Sequence, residues 1–513
     1  MLVSSARRPD EHRAEVPVLH VLQRPIALIL LPLFLLETTG CTSVHRVAAV
    51  DTAPPTEERL VGITTVAAQD IDFDGNGEIR ADTVYAKVHG KPIQVPVDSV
   101  QRWWIRRASP GKSVAAGIGV VLGITLLIGA IAVATKESCP FVYAWDGERY
   151  VFDAEPYGGA ITRGLERDDY SLLPRLRPDG GQYRLLVTNE VNETQMTNLF
   201  ELWAVDHAPG VRIVPDEWGG LHTISGALPP TRVVDQTGRD LRAWVASDDR
   251  LIWEQLPIRD SAGSIRDEVT LTFPKPAGAT QAKLVARVGT ALWGSHMIRA
   301  LLQLRGESLE AWYARMDSSP AAVDSVRGWA VQEELYGLQV KVQEPHGWEV
   351  RGILGGSGPF LAEERVIPLD ISAVEGNELT IRLRPPRGFW ALNYFAIDYT
   401  PDQAVAVDTL HPLTASGNTT ADILAALTSA DTLYYEMPNT GDRALLTFPT
   451  SPPRPGLTRS VVLHSRGYYH LHLNPAGKPD TTLARRVEQV PDAAAEYSAS
   501  LYRYWPMARR QPF

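Results

Sequence analysis

Cysteine is nearly absent: Cys41 and Cys139 are the two in 513 residues. No disulfide framework can hold such a chain together, so its folded parts must rest on buried apolar surface. A basic stripe is missing too. The chain has 50 Lys and Arg against 60 Asp and Glu, a net charge of −10 spread along its length. Neutralising nucleic-acid phosphates takes clustered cations, so no nucleic-acid partner is expected. The motifs of common enzyme classes are also lacking: there is no HExxH, no P-loop, no GxSxG and no strand–GxGxxG–helix unit. Gly355-Gly356-Ser357-Gly358-Pro359 comes nearest to a nucleophile elbow, with its second glycine one position early. No catalytic residue is assigned. The expected function is that of a non-enzymatic binding or scaffolding protein of the cell envelope; the alternative is a metal-dependent or carboxylate-based hydrolase acting on envelope polymers, because the paired carboxylates of glycosidase chemistry need not be close in sequence.

Long apolar runs are few, and both lie near the N-terminus. The first, Ile26 to Leu36, follows Arg24 and leads to Gly40-Cys41. Eleven helical residues rise only about 16 Å, too short to span a bilayer but suited to a signal-peptide core. The Gly40-Cys41 ending resembles a bacterial lipobox, which implies residues 1–40 as a signal peptide and a diacylglycerol on the Cys41 sulfur. Thr42, where Asp would resemble an inner-membrane retention signal, favours the outer membrane. The second run, residues 113–135 within a Gly-rich segment 111–136, is uncharged and long enough at about 34 Å to span. Ala115, Gly119 and Gly123 recur every fourth residue, a spacing that lets helix backbones approach in lipid and allows self-association through Gly119 and Gly123. A simple span clashes with an exported Cys41, since Arg102, Arg106, Arg107 and Lys112 would then stay outside. The preferred reading is an exported lipoprotein whose Gly-rich helix docks in a membrane. The alternative is a single inner-membrane pass, again with residues 137–513 outside.

What remains reads as β. Thirteen Trp and seventeen Tyr with 40 Gly and 38 Pro suggest many short strands joined by tight turns. Residues 41–55 read as a tether and 56–110 as a small β module, with Trp103-Trp104 beside Arg102, Arg106 and Arg107 as an interfacial anchor or, alternatively, as a module edge packed on itself. Residues 137–277 read as a β domain. It opens with a hairpin in which Phe141, Tyr143 and Trp145 alternate, Asp146-Gly147 turns, and Tyr150 and Phe152 return. Residues 278–400 read as a jelly-roll-like or galactose-binding-like sandwich carrying a helical insertion at 295–335, and 401–513 as a β-rich C-terminal region. The fold class expected is mainly β: multi-domain antiparallel sandwiches with a helical insertion and one hydrophobic Gly-rich helix. DEVTLTFP at 267–274 is echoed by DRALLTFP at 442–449.

CPFVYAWDGERYVFDAEPYGGAI, LERDDYSLLPRL and the strand ending WAVDH at His207 together resemble a module of uncharacterised exported bacterial proteins, found also beside FG-GAP or tetratricopeptide repeats. The resemblance covers residues 137–300 and implies a β-rich, exported module. It carries no catalytic residues.

Two patterns raise the question of metal. DFDGNGEI at 72–79 places Asp72, Asp74 and Asn76 at alternate positions before Gly77, as in a calcium loop. Thr83 stands where a closing Glu belongs, and Asn76-Gly77 between two β runs is itself a favoured hairpin turn. Ca2+ is thus the one cofactor considered, with the turn preferred. In VVLHSRGYYHLHL, a hairpin at Ser465-Arg466-Gly467 would bring His464 beside His470 and His472 as a three-imidazole site; ordinary strand histidines are the preferred reading. Asp153, Glu155, Glu166, Asp168 and Asp169 read as a solvated acidic rim. Trp348, Phe389, Trp390 and Tyr394 are candidate edge aromatics for a glycan or an envelope protein, with core packing preferred. Membrane lipid is the remaining partner expected.

Overall fold

The computed structural model describes residues 42–48, 59–65, 70–80, 83–88, 90–108, 140–249, 251–419, 422–473 and 475–508. Two compact units divide the chain, Met1–Val121 and Leu122–Phe513. Cys41, Cys139, Gly119, Gly123 and the Gly-rich segment lie outside the described residues. Among the described residues no helix is long and apolar enough to cross a membrane.

The first unit is one antiparallel sheet. Its strands are β1 (Thr42–Ala48), β2 (Arg59–Thr65), β3 (Asp70–Arg80), β4 (Thr83–Val88), β5 (Lys91–Pro96) and β6 (Val100–Ala108), in the order β1-β6-β2-β3-β4-β5. Residues 42–48 are therefore a strand and not part of a tether. With β2 on one side of β6, the other edge would present unpaired N–H and C=O groups, and β1 covers it from Thr42↔Ala108 to Ala48↔Arg102. Trp103 and Trp104 are buried, at 2% and 8% exposure, so neither serves as an interfacial anchor. Trp104 Nε1 donates to Thr64 Oγ1 at 2.9 Å. Its ring lies where a Cβ on Gly62 would stand, 2.5 Å from Trp104 Cε3, so the glycine makes room for the indole.

In the second unit the strands follow in two groups. The first comprises β7 (Phe141–Trp145), β8 (Tyr150–Ala154), β9 (Arg167–Leu172), β10 (Gln182–Thr188), β11 (Glu193–His207), β12 (Arg212–Pro215), β13 (Leu221–Ile224) and β14 (Arg232–Asp235). Then come β15 (Val269–Pro274), β16 (Gln281–Thr290), β17 (Gly337–Glu344), β18 (Gly347–Gly355), β19 (Glu363–Asp370), β20 (Glu378–Leu383) and β21 (Trp390–Asp398). The C-terminal strands are β22 (Ala406–Leu410), β23 (Thr414–Gly417), β24 (Tyr435–Met437), β25 (Arg443–Pro449) and β26 (Thr458–Leu471). Sheet β23-β25-β10-β7-β8 faces sheet β22-β11-β26-β9, and sheet β14-β15-β20-β17-β18 faces β19-β16-β21. The fold is mainly β and antiparallel throughout, as the composition implied.

Boundaries differ from a linear division at 277 and 400. The first sandwich joins β7–β11 to β22–β26, and the second is inserted between them. The reason is pairing across the insertion: β11 and β26 run together from Glu193↔Leu471 to His207↔Thr458, and β10 lies against β25 with Leu185 opposite Leu446. Period-two alternation sends Tyr183, Leu185 and Val187 of β10, with Ala444, Leu446 and Phe448 of β25, into one core. Strands β15 and β25, which carry the echoed octapeptides, each stand next to the edge strand of a five-stranded sheet.

The β12–β13 hairpin sits between the sandwiches. Its alternation serves both: Ile213 packs with Val205 and Val462 of the first, while Val214 packs with Val285, Val366 and Ala396 of the second. The 141–154 hairpin forms as expected, with Gly147 at φ +104 in its turn. Val142 and Ala144 face the sandwich core, and the aromatic residues form a row on the opposite side, with Phe141 and Phe152 centroids 5.0 Å apart.

Helices α1 (Leu292–Gln303), α2 (Leu309–Ser318) and α3 (Pro320–Gln332) form the inserted layer, joined by α4 (Thr481–Gln489) and α5 (Ala493–Ala508) near the C-terminus. Ser319 ends α2 and caps α3. Its side chain accepts from the Ala322 amide, and Pro320 takes the first helical turn, where a missing N–H costs nothing. Trp293, Met297 and Ala300 of α1 enter the core of the second sandwich beside Val487 and Ala494.

Candidate functional site

The three histidines do not assemble. β26 is a continuous strand of 14 residues, as the preferred strand-histidine reading requires; the hairpin at Ser465–Gly467 that a three-imidazole site would need is absent, and His464 stands six positions from His470, about 20 Å along an extended chain. Its partner β11 pairs along the whole of that stretch, with one bulge at Asn198 opposite Arg466 and Gly467. His464 lies opposite Glu201 and Tyr170 in the sheet. Its Nδ1 meets Glu201 Oε1 at 2.8 Å and its Nε2 meets Asp168 Oδ1 at 2.9 Å, with the ring stacked on Tyr170 at 4.7 Å. Burial works against protonation, but the hydrogen bonds to Asp168 and Glu201 outweigh it and raise the imidazole to about 9. An imidazolium clamped through both nitrogens has no lone pair for a metal. His470 is packed against Tyr313 at 4.7 Å and Tyr468 at 5.5 Å, and burial lowers its pKa. His472 meets Thr194 Oγ1 at 2.8 Å.

The hairpin turn preferred for the calcium-loop pattern does not form. Leu60 pairs with Gly77 and Gly62 with Asp72, so Phe73–Asn76 loop out within β3, and Asn76-Gly77 is no hairpin turn. Phe73 is buried and pins the excursion, while Asp72, Asp74 and Asn76 are exposed. Asp74 Oδ2 accepts from the Gly90 amide at 2.6 Å. Among the described residues no group of three or more His, Cys, Asp or Glu is placed to hold a metal ion.

The acidic stretch is not a solvated rim. Asp153, Glu155 and Asp169 are buried at 5%, 0% and 7% exposure. Burial pushes Asp153 up to about 7, against the opposing effect of Arg175. Asp169 belongs to a charged junction between the sandwiches. It accepts from the Tyr157 amide at 2.7 Å, from Arg167 at 3.3 Å and from Arg365 Nη2 at 2.8 Å. Arg365 also pairs with Glu363, and Ser171 Oγ donates to Glu363 at 2.7 Å. Burial raises the Glu363 carboxyl above its ordinary range, although Arg365 opposes the shift. Asp169 and Ser171 come from β9, Glu363 and Arg365 from β19, so this buried cluster ties one sandwich to the other.

Above the junction lies a cavity of about 1080 Å3, at the upper end of the roughly 300–1,000 Å3 common for small-molecule sites. Helices α1–α3 wall one side; β18, β19, the segment around Gly158–Tyr170 and the turn at Asp216–Trp218 wall the other. Its lining is largely apolar: Ile298, Leu301, Leu304 and Val326 are half-buried along it, and Met297, Leu302, Leu335 and Phe389, all at most 4% exposed, are packed behind them. Trp312, Trp329 and Tyr336 flank them at intermediate depth, and Trp218 projects from its turn at 89% exposure.

Charge is gathered toward the outside of this lining. Arg305 lies over the Trp312 ring at 4.5 Å and pairs with Glu488 at 2.8 Å. Arg351 pairs with Glu344 at 2.6 Å, and Arg466 with Asp168 at 2.9 Å. Arg315 on α2 and Arg327 on α3 are exposed and have no ion pair among the described residues. Sequence reading identified the helical insertion but neither arginine, because nothing in LEAWYARM or VDSVRGWAV distinguishes a cavity-facing cation from any surface one. Trp218 within DEWGG was equally silent.

Other candidates are structural. Ser357 Oγ is buried and within 3.4 Å of the carbonyls of Val288, Gly358 and Leu361, not an imidazole. Phe389 and Trp390 are core residues at 2% exposure, with Trp390 Nε1 donating to Glu334 O at 2.7 Å. Trp348 lies under Arg382 at 4.2 Å and Tyr394 packs with the β12–β13 hairpin.

No protein-family model and no curated protein matches the chain. Among solved structures, it is similar to a β-porphyranase of glycoside hydrolase family 86 from the human gut bacterium Bacteroides plebeius, at 9% identity and a TM-score of 0.14. The match covers 47% of this chain and 36% of that enzyme, and at that score it carries no argument about activity.

Proposed function

We propose that this protein is an exported lipoprotein, acylated at Cys41 and held at the outer membrane, whose second unit binds an apolar ligand outside the cytoplasm without transforming it. The cavity between the helical layer and the strands carries the binding half of this reading. An apolar space of about 1080 Å3 bordered by polar groups is the usual form of a ligand site. The address rests on the Ile26–Leu36 run, the Gly40-Cys41 ending and the resemblance of residues 137–300 to exported modules. A single inner-membrane pass through 113–135 would leave the same unit outside.

Binding is favoured over hydrolysis because the carboxylates beside the cavity are committed elsewhere. Asp168 is held by His464 and Arg466, and Glu217 accepts from the Gly355 amide at 3.1 Å. Ala330→Trp, which fills the space from α3, tests the reading in the full chain held in amphipol. Nile red fluorescence should be enhanced by the parent and lost in the variant at unchanged melting temperature; equal enhancement in both would refute it. For the address, labelled palmitate should enter the parent and not Cys41→Ser.

A further inference from the structure

We infer that the ligand is a long-chain amphiphile with one carboxylate, its chain in the cavity and its head between Arg315 and Arg327; this rests on the binding function proposed above. Five acidic residues line the cavity: Glu166, Asp168, Asp216, Glu217 and Glu488. Each has a basic side chain within reach: Glu166 and Asp168 share Arg466, Asp216 meets His222, Glu217 lies 3.9 Å from the Arg365 that also serves Asp169 and Glu363, and Glu488 has Arg305. Of the six lining arginines, Arg167, Arg305, Arg351 and Arg466 are likewise paired. Arg315 and Arg327 are left over.

Two exposed guanidinium groups without an ion pair, beside an apolar cavity, complement a ligand with an oxyanion at one end and hydrocarbon at the other. The planar fork of arginine suits a carboxylate, which it can bind through two parallel N–H donors. The half-buried lining residues Ile298, Leu301, Leu304 and Val326 offer a polar chain no hydrogen bond, whereas each methylene removed from water contributes about 0.8 kcal/mol. A glycan would leave its hydroxyls unsatisfied there. The α2–α3 turn at Ser319-Pro320 keeps the two arginine-bearing helices adjacent.

The test is fluorescence titration of cis-parinaric acid into the full chain in amphipol, with palmitate, hexadecyl phosphate and hexadecylamine as competitors and Nile red as a neutral probe. Palmitate should displace the probe, hexadecylamine should compete at least about tenfold more weakly, and Arg315→Glu with Arg327→Glu should weaken parinarate about tenfold. Nile red binding should survive the double variant, which separates lost charge recognition from lost folding. Equal competition by the amine, or unchanged parinarate affinity in the variant, overturns the carboxylate inference while Nile red binding keeps the cavity function standing. Tighter competition by hexadecyl phosphate than by palmitate overturns it in favour of a phosphate head. Failure of the parent to bind Nile red removes both.

Discussion

The second unit contains two interlayer spaces of opposite construction. Between the sandwiches, Arg365, Glu363, Asp169 and Ser171 fill the contact with charge and hydrogen bonds. Between the helical layer and the strands, apolar side chains surround open volume. A buried ion pair gives little net stability, since desolvation offsets attraction, but its partners must meet in one arrangement. The apolar layer makes no such demand, so the charged junction can fix the sandwiches in register while space remains above it. Local chemistry thus separates a part that sets geometry from a part left to receive something.

The sharpest way to break that contrast is to remove the junction's cation. Arg365→Met leaves Asp169 and Glu363 buried without their shared partner and should cost about 3–5 kcal/mol, read from urea unfolding of the full chain. Replacing Asp169, Glu363 and Arg365 together by apolar residues of similar volume should recover most of that loss. Failure of the triple variant to recover would mean that attraction, and not specificity, dominates the contact.

Next in size is Gly358→Ala. A Cβ at this position would overlap the buried Glu155 carboxyl, whose Oε2 accepts from the Phe360 amide at 3.1 Å. Overpacking of this kind costs about 1–3 kcal/mol, and a thermal melt showing no shift would mean that the loop gives way freely.

A third test uses the charged contact at the edge of the cavity. His464 is raised to about 9 when folded, from an ordinary 6.5, so its clamp contributes fully below pH 6.5. The contribution declines as pH rises through 9, where the folded imidazole loses its proton. His464→Phe should lower stability by about 1 kcal/mol near pH 6, a value reduced by the 34% exposure of Asp168. The difference between parent and variant should shrink toward pH 9.5. A constant difference would assign the loss to stacking on Tyr170 instead of charge.

These charged contacts also mark where sequence legibility ends. Strand alternation made β7, β8, β10 and β25 readable, and the Asp146-Gly147 turn gave the first hairpin in register, because both signals are local. The helical insertion was legible through the spacing of Leu309, Trp312, Tyr313 and Met316. The pairing of β10 with β25 was not, since the partners are separated by an entire inserted sandwich and nothing in QYRLLVT names RALLTFP. The acidic run from Asp153 to Asp169 was misread for the same reason: what buries it is Phe360, Glu363 and Arg365, some two hundred positions later. The turn at Ser465-Arg466-Gly467 that the alternative three-imidazole site required was overridden by a long partner strand, which leaves His464 and His470 as strand histidines, the preferred reading. At the cavity, a lone arginine on a helix has no sequence context that reveals whether a carboxylate from another layer will reach it.

The smallest effect belongs to the open layer itself. Filling it with Ala330→Trp should change unfolding free energy by no more than about 0.5 kcal/mol, since the new ring enters existing space and leaves core contacts in place. An indole introduced with little strain also gains apolar contact with the cavity lining, which offsets the rotamer freedom it loses. The contrast with Gly358→Ala is the point of the measurement. One added methyl where the layer is full should harm the fold more than a whole indole where the layer is open. A loss above about 2 kcal/mol for Ala330→Trp would show that the helical layer closes on the strands in solution, and the distinction between a filled junction and a receptive space would disappear.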